Sequence, residues 1–373
     1  MALFLCSASA FAEDAATDKL SDAIDEIIDG LDLKEIENAY SDIEFFSDLD
    51  ARETIRSYVG GQTDFSIEDL FGLMIRLIFG SVSGYVPEVL SVLAVAIFGC
   101  VLDSIKLSND QSVNELGFFF INALIITLVS SLFFSVFNVA KNCVDIMTNE
   151  IQAVFPILLT LMTASGASAT ATAFQPSVSY VCTFESVIAE KISFPIVVML
   201  YLFGVIGCLS KSIKAGRMND FFKSAFKWIT GATGVVFAFF ITVQSVAAST
   251  FDGFSLKALK YVVGGSVPII SQFVGGGFDI VFASCVLVKN SLGVLALVAL
   301  LVTVLSPIIK IVVLSLFLRF LAAVTEPVSD ERIVKFIGLS ADSLNYVAAI
   351  VISVAVVYFI TVFVAICSLG VAV

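Results

Sequence analysis

The chain has 373 residues, of which 58% are hydrophobic and 14% charged, and its mean hydropathy is +1.02. Soluble globular chains are about 45–50% apolar and about 25% charged. The composition therefore excludes a soluble multidomain enzyme and a disordered or fibrous chain, and it indicates an all-α polytopic membrane protein. The net charge of −13 comes from one end, because residues 13–70 carry 18 acidic and 4 basic side chains and the rest is nearly neutral.

Residues 1–12 are interpreted as the remnant of a signal peptide. This apolar run ends in Ala10-Phe11-Ala12, the small-residue pattern that precedes signal-peptidase cleavage, although a basic first region is missing. An ordinary apolar N-terminus is the alternative. Cleavage after Ala12 would place the acidic segment that follows outside the cytoplasm.

Residues 13–80 are expected to form a short, acidic, helical arm outside the cytoplasm. Apolar side chains recur at three- and four-residue spacing between Leu20 and Leu31, which is typical of an amphipathic helix. Residues 64–79 predict an interfacial helix that leads into the membrane. The acidic face is either an ordinary solvated surface or a docking surface for a partner, and the absence of a basic stripe argues against nucleic-acid binding.

Residues 81–373 are expected to form a transmembrane domain of about eight helices. A membrane-spanning helix needs about 20 apolar residues. Six segments meet this need: 87–105, 117–139, 193–210, 229–250, 308–324 and 344–368. Two further regions, 151–190 and 263–306, are hydrophobic but interrupted by Pro, Gly and Ser, which predicts broken or re-entrant helices.

An internal repeat with an offset of 112 residues is predicted from two pairs of prolines. Pro156 and Pro268 lie in similar Pro-Ile segments, and Pro195 and Pro307 share the same offset. Three predicted helices step along the chain by the same number, which favours a parallel duplication. The repeat halves and the final helix are 117–227, 229–340 and 344–368.

The strongest basic cluster of the chain follows the predicted helix 193–210. Its members are Lys211, Lys214, Arg217, Lys223 and Lys227. Loops rich in Lys and Arg stay in the cytoplasm, so this loop fixes the expected orientation. Aromatic residues among the basic ones suit the headgroup zone of the lipid bilayer.

Four charged residues within apolar segments are candidate functional groups, because charge inside a membrane is costly. These are Asp279, Lys289, Lys310 and Glu185. Asp279 follows three glycines and is expected to cap the start of a helix, with cation binding or an ion pair to Lys289 as alternatives. Lys289 is expected near a helix end, where its ammonium group reaches the interface. Lys310 is expected at the kinked end of a helix beside Pro307.

Catalytic chemistry has little support in the sequence. The chain has no histidine, which removes Ser–His and Cys–His catalysis and most catalytic zinc sites. The seven cysteines are scattered and form no CxxC pair. We expect no enzymatic activity, and we assign no catalytic, metal-binding or cofactor-binding residue and no cofactor.

Taken in order along the chain, a set of short segments resembles the stage III sporulation protein AE family. The segments are 31–37 (LDLKEIE), 155–161 (FPILLTL), 174–176 (FQP), 267–270 (VPII), Asp279, 288–294 (VKNSLGV), 307–310 (PIIK) and 326–333 (EPVSDERI). No single segment is diagnostic, but the ordered set is specific. The likeness runs from about Leu31 to the end of the chain.

The resemblance implies a non-enzymatic component of a channel complex required for sporulation. The family lies in the mother-cell membrane that surrounds the forespore, and its complex is partly akin to specialised secretion systems. The implied partners are other stage III sporulation operon membrane proteins, a forespore channel protein and the lipid bilayer, and a homo-oligomer is left open. The acidic arm would then lie in the intermembrane space. A stand-alone secondary transporter and a structural membrane anchor are the alternatives.

Overall fold

The fold is built almost entirely from long helices. The computed structural model describes residues 22–31, 33–34, 55–56, 67–105, 111–164, 168–209, 216–265, 271–327 and 329–367, and this part of the chain contains no strand. The helices are α1 (Ile67–Ile105), α2 (Gln111–Ala164), α3 (Ser168–Ile188), α4 (Phe194–Leu209), α5 (Gly216–Gly265), α6 (Ser271–Thr325) and α7 (Glu331–Cys367). Inside a membrane a helix satisfies its own backbone hydrogen bonds, which explains why apolar segments take this form.

Six helices of the described region are long and apolar enough to cross a membrane, where the sequence predicts about eight. They are Met74–Gly99, Phe119–Ala164, Tyr180–Leu209, Gly216–Thr242, Ser284–Thr325 and Glu331–Ile366. The expectation of an all-helical chain with membrane-spanning segments is confirmed. The remaining two crossings and the repeat with its offset of 112 residues stay predictions.

Each region predicted to be broken contains the end of one helix and the start of the next, Ala164 and Ser168 in the first region and Gly265 and Ser271 in the second. The prolines and the triple glycine, however, lie inside helices. Helix α2 runs through Pro156, and α6 runs through both the triple glycine and Pro307. Proline removes one backbone hydrogen bond, but neighbouring helices and hydroxyl groups compensate for it in a bundle. The interfacial helix predicted at 64–79 is likewise not separate, because its described part belongs to α1.

A π-helical turn, Ala189–Ser193, joins α3 to α4 without a break in the helical run. Pro195 follows this turn, and its ring would clash with the carbonyl group four residues earlier in a regular α-helix. A wider π turn at this place relieves the clash. Lys191 and Glu190 lie in the turn and form an exposed ion pair of 2.9 Å.

Helices α2, α6 and α7 form the centre of the bundle. Helix α7 packs on α6, α4 and α2, while α6 also packs on α2 and α1. Of the apolar window in Ser284–Thr325, 61% is buried, against 17% in Met74–Gly99. The outer helices α1 and α5 instead expose large apolar side chains such as Phe98 and Phe239, as lipid-facing helices do.

Side-chain contacts fix the directions of the central helices. Helices α6 and α7 are antiparallel, because Arg319 pairs with Asp342 at one end and Lys289 reaches Ile366 at the other. Along α2, Ser130 bonds Tyr201 of α4, whose ring packs 5.9 Å from that of Phe336 in α7.

Further along α2, Thr148 bonds Tyr358 of α7. Both α2 and α7 therefore advance in the same direction between the two contacts. Helix α2 is parallel to α7 and, because α6 opposes α7, antiparallel to α6.

The acidic arm is described only in part. Residues 22–30 are helical, and Ile24 and Ile28 are buried, in agreement with the predicted amphipathic spacing. Arg56 pairs with Asp25 at 2.7 Å and approaches Asp29 at 3.6 Å on the exposed side. The predicted signal-peptide residues 1–12 lie outside the described residues.

Candidate functional site

The charged residues predicted within apolar segments do not converge on one site. Glu185 lies on α3, and Asp279, Lys289 and Lys310 lie on α6. Lys289 and Lys310 are separated by about 30 Å along that helix. Asp279 does not cap a helix start, because α6 begins eight residues earlier at Ser271. The structure describes only the backbone of Asp279, and its predicted ion pair with Lys289 therefore stays a prediction.

Lys289 is completely buried within the helix bundle. Its ammonium group donates hydrogen bonds to the carbonyl oxygens of Ile366 at 2.7 Å and Ala365 at 3.4 Å. These carbonyls belong to the last turn of α7, where helical hydrogen-bond donors run out and the helix dipole is negative. Lys289 is therefore a cap for α7, and its expected position at the membrane interface stays a prediction.

Lys310 lies within α6, three residues after Pro307, and it is half-buried. The helix continues for fifteen residues beyond it, to Thr325. The expected kinked helix end is therefore absent at this position.

Glu185 belongs to a group of buried polar contacts between α2, α3 and α7. Ser353 donates a hydrogen bond of 2.8 Å to the Glu185 carboxylate. On the neighbouring positions, the hydroxyl groups of Thr148, Ser186 and Tyr358 bond one another, and Tyr358 also donates to the Cys182 carbonyl at 3.3 Å. Because all of these groups find partners, the cluster ties three helices together.

Glu150 on α2 is a buried carboxyl group that the sequence analysis missed. Its side chain is 3% exposed, and neither carboxylate oxygen has a hydrogen-bond partner. The polar residues between the predicted helix 117–139 and Glu150 have the composition of a loop. The local sequence therefore does not show that Glu150 belongs to the same helix. A seven-residue spacing indicates its burial, because Val129, Val136 and Cys143 precede it at intervals of seven. These three residues lie on the same face of α2 and are also buried.

Further buried polar atoms without partners lie on α2 and α6. They are Oδ1 of Asn122, Oδ1 of Asn290 and Oγ1 of Thr303. Native proteins leave few buried polar groups unpaired, and each such group calls for an explanation. Among the described residues, these atoms and the two Glu150 oxygens are most of the buried side-chain polar atoms without a hydrogen-bond partner.

A cavity of about 310 Å³ lies where α2 and α3 meet. Its lining runs from Phe155 to Thr163 on α2 and includes Ala171 and Thr172 on α3. The lining is mixed in polarity and carries no charged group. Within the described residues, no group of His, Cys, Asp and Glu is arranged to hold a metal ion.

The predicted basic cluster is partly described. Arg217, Lys223 and Lys227 lie in the first turns of α5, whereas Lys211 and Lys214 lie outside the described residues. Trp228 is 76% exposed beside Lys227, and Phe221 is exposed nearby. An aromatic and basic helix start of this kind suits a membrane interface.

Comparisons with known proteins agree on one family. The profile of a family described as stage III sporulation protein AE matches residues 49–369, so the early segment 31–37 lies outside the match. "Stage III sporulation protein AE" of Bacillus subtilis (strain 168) is 21% identical over 312 residues, which cover 83% of this chain and 77% of that protein. No solved structure matches.

Both the matched region and the membrane-length helices cover most of the chain. The chain is thus a membrane protein with the sequence pattern of a sporulation family. It belongs to the stage III sporulation protein AE family.

Proposed function

We propose that this chain is a non-enzymatic, multi-pass core component of the channel complex between mother cell and forespore. It lies in the mother-cell membrane and forms or gates the passage together with other stage III sporulation operon membrane proteins. A forespore channel protein is its partner across the intermembrane space, and the acidic arm lies in that space. The family match over residues 49–369 is the observation that carries this proposal.

The helix bundle supports the proposal in two ways. Its six membrane-length helices enclose a buried centre on α2, α6 and α7, and α1 and α5 offer apolar outer faces to lipid or to partner helices. The buried centre also contains polar groups such as Glu150 and Glu185, and polar groups inside a membrane bundle mark pathways and functional sites.

Deletion and co-purification test the proposal. A deletion strain should grow normally and fail to complete sporulation, and the wild-type gene should restore spore yield. The chain should co-purify from sporulating cells with other stage III sporulation membrane proteins. Full spore yield after deletion would contradict the proposed role. If the purified chain alone moves a solute across liposomes, a stand-alone transporter replaces it.

A further inference from the structure

Glu150 is the polar group whose burial is hardest to explain by packing alone. The carboxyl group is inside the bundle, and neither of its oxygens has a hydrogen-bond partner. An isolated ionised carboxylate in an apolar environment is strongly disfavoured. The group is therefore stable only when a positive charge joins it, either a proton on one oxygen or a metal cation between oxygens.

The register of α2 against α6 shows what surrounds Glu150. The thiol of Cys143 lies 3.6 Å from the carbonyl oxygen of Thr303, which fixes one point of the interface. The two helices are antiparallel, so the position two turns further along α2 faces the part of α6 about two turns before Thr303. Glu150 occupies that position on α2, and the buried residues in that part of α6 include Leu295, Ala296, Ala299 and Leu300.

Two residues in that part of α6, Ala296 and Ala299, take up less space beside the carboxyl group than leucine would. Alanine has no side-chain atoms beyond Cβ. The hydroxyl oxygen of Thr303, which is also buried without a partner, lies about two turns away along the same interface. Carboxylate, hydroxyl and carbonyl oxygens are the ligands that hard cations take. The two carboxylate oxygens of Glu150 are ligands of this kind.

The protein's own cations do not fill this role. Helix α6 has no charged residue between Lys289 and Lys310, and the ammonium group of Lys289 is bonded to the end of α7. Of the other ionisable groups in the described parts of the packed helices, Glu185, Tyr358 and Glu88 carry no positive charge. The basic side chains, such as Lys141 on α2 and Arg319 on α6, make no hydrogen bond to either Glu150 oxygen.

We propose that Glu150 binds a small cation, a proton or an alkali metal ion, in the interface between α2 and α6. A proton and an alkali metal ion would act in the same way, because each neutralises the buried carboxylate with one positive charge. This site does not depend on the proposed role in a complex, because it is formed within one chain. It adds a cation-linked element to the centre of the bundle.

Thermal unfolding of the purified full chain in detergent tests for an alkali metal ion. Sodium or potassium chloride replaces choline chloride at constant ionic strength, since choline is too large for the site. If a metal ion binds, the melting temperature of the wild type rises by roughly 2 °C or more. Glu150→Gln removes the charge and should abolish the rise. The control Glu190→Gln, in an exposed ion pair, should respond as the wild type does.

Infrared difference spectroscopy tests for a proton. The wild type minus Glu150→Gln should then show the carbonyl band of a protonated carboxylic acid. A metal response without this band identifies an alkali ion, and the band without a metal response identifies a proton. The absence of both results overturns the proposal. Glu150→Asp is a second variant in case Glu150→Gln does not fold, and it should weaken the metal response or shift the band.

Discussion

Lys289 of α6 donates a hydrogen bond of 2.7 Å to the carbonyl oxygen of Ile366, in the last turn of α7. A buried ammonium group of α6 thus caps the carboxyl end of the neighbouring helix α7. The contact joins positions 77 residues apart in the chain, and it fixes the end of α7 against the first half of α6. This junction leads to the first two predictions.

Replacement of Lys289 should loosen the end of α7. Lys289→Met keeps most of the side-chain volume but removes the donor, so the last carbonyls lose their partner at a cost of about 1–3 kcal/mol in the free energy of unfolding. Hydrogen exchange should show lost protection in the last turns of α7. Lys310→Met, in the half-buried middle of α6, is the control. Unchanged protection would mean that the cost of burying the ammonium group offsets its hydrogen bonds.

Gly293→Ala should destabilise the same junction by steric overlap. A Cβ atom at Gly293 would lie 2.6 Å from Cδ1 of Ile366 and would also meet its Cγ1. Overpacking of this kind costs about 1–3 kcal/mol, which thermal unfolding measures. Ile366→Ala in the same chain should recover part of the loss. The control Gly234→Ala has open space around its Cβ and should stabilise the helix by about 0.5–1 kcal/mol.

Tyr358→Phe should weaken the contact between α2, α3 and α7. The buried hydroxyl group bonds Thr148, Ser186 and the Cys182 carbonyl, and its loss removes these bonds while the ring stays in place. We expect a decrease of about 0.5–1.5 kcal/mol in the free energy of unfolding. Tyr180→Phe is the matched control because Tyr180 is exposed. An equal effect of both substitutions would contradict the buried network.

Cysteine labelling tests the predicted orientation in growing cells. In a chain without its native cysteines, Lys214→Cys should resist a membrane-impermeant maleimide until the cells are permeabilised, because positively charged loops remain in the cytoplasm. Glu26→Cys, on the exposed side of the arm, should react in intact cells. Free labelling of Lys214→Cys in intact cells would reverse the orientation.

Composition and periodicity were sufficient to predict the class of fold but not the joints between helices. The segments 117–139 and 344–368 are predicted as membrane helices. The first lies within the longer helix α2, and the described part of the second lies within α7. The sequence pattern predicts an interruption at Pro156, yet α2 continues through it and ends at Ala164. The effect of a proline on a buried helix depends on tertiary neighbours that satisfy the freed carbonyl, and these are not visible in local sequence.

The buried polar groups were predictable only in part. Lys289 and Glu185 stand out as charges in apolar surroundings, so sequence alone identified them. Their partners, Ile366 and Ser353, lie far away in the chain and follow from the packing of α7. The burial of Glu150 was not predicted, because Lys141, Asp145 and other nearby polar residues make this part of α2 look exposed.

The length of α2 has a consequence for what surrounds the protein. From Phe119 to the residue before Pro156, this helix rises about 55 Å. A hydrocarbon layer of about 30 Å covers only about 39 Å of a helix, even at a tilt of about 40°. Part of α2 therefore extends beyond the hydrocarbon layer. Its apolar side chains there need a coat of protein, from this chain or from its neighbours.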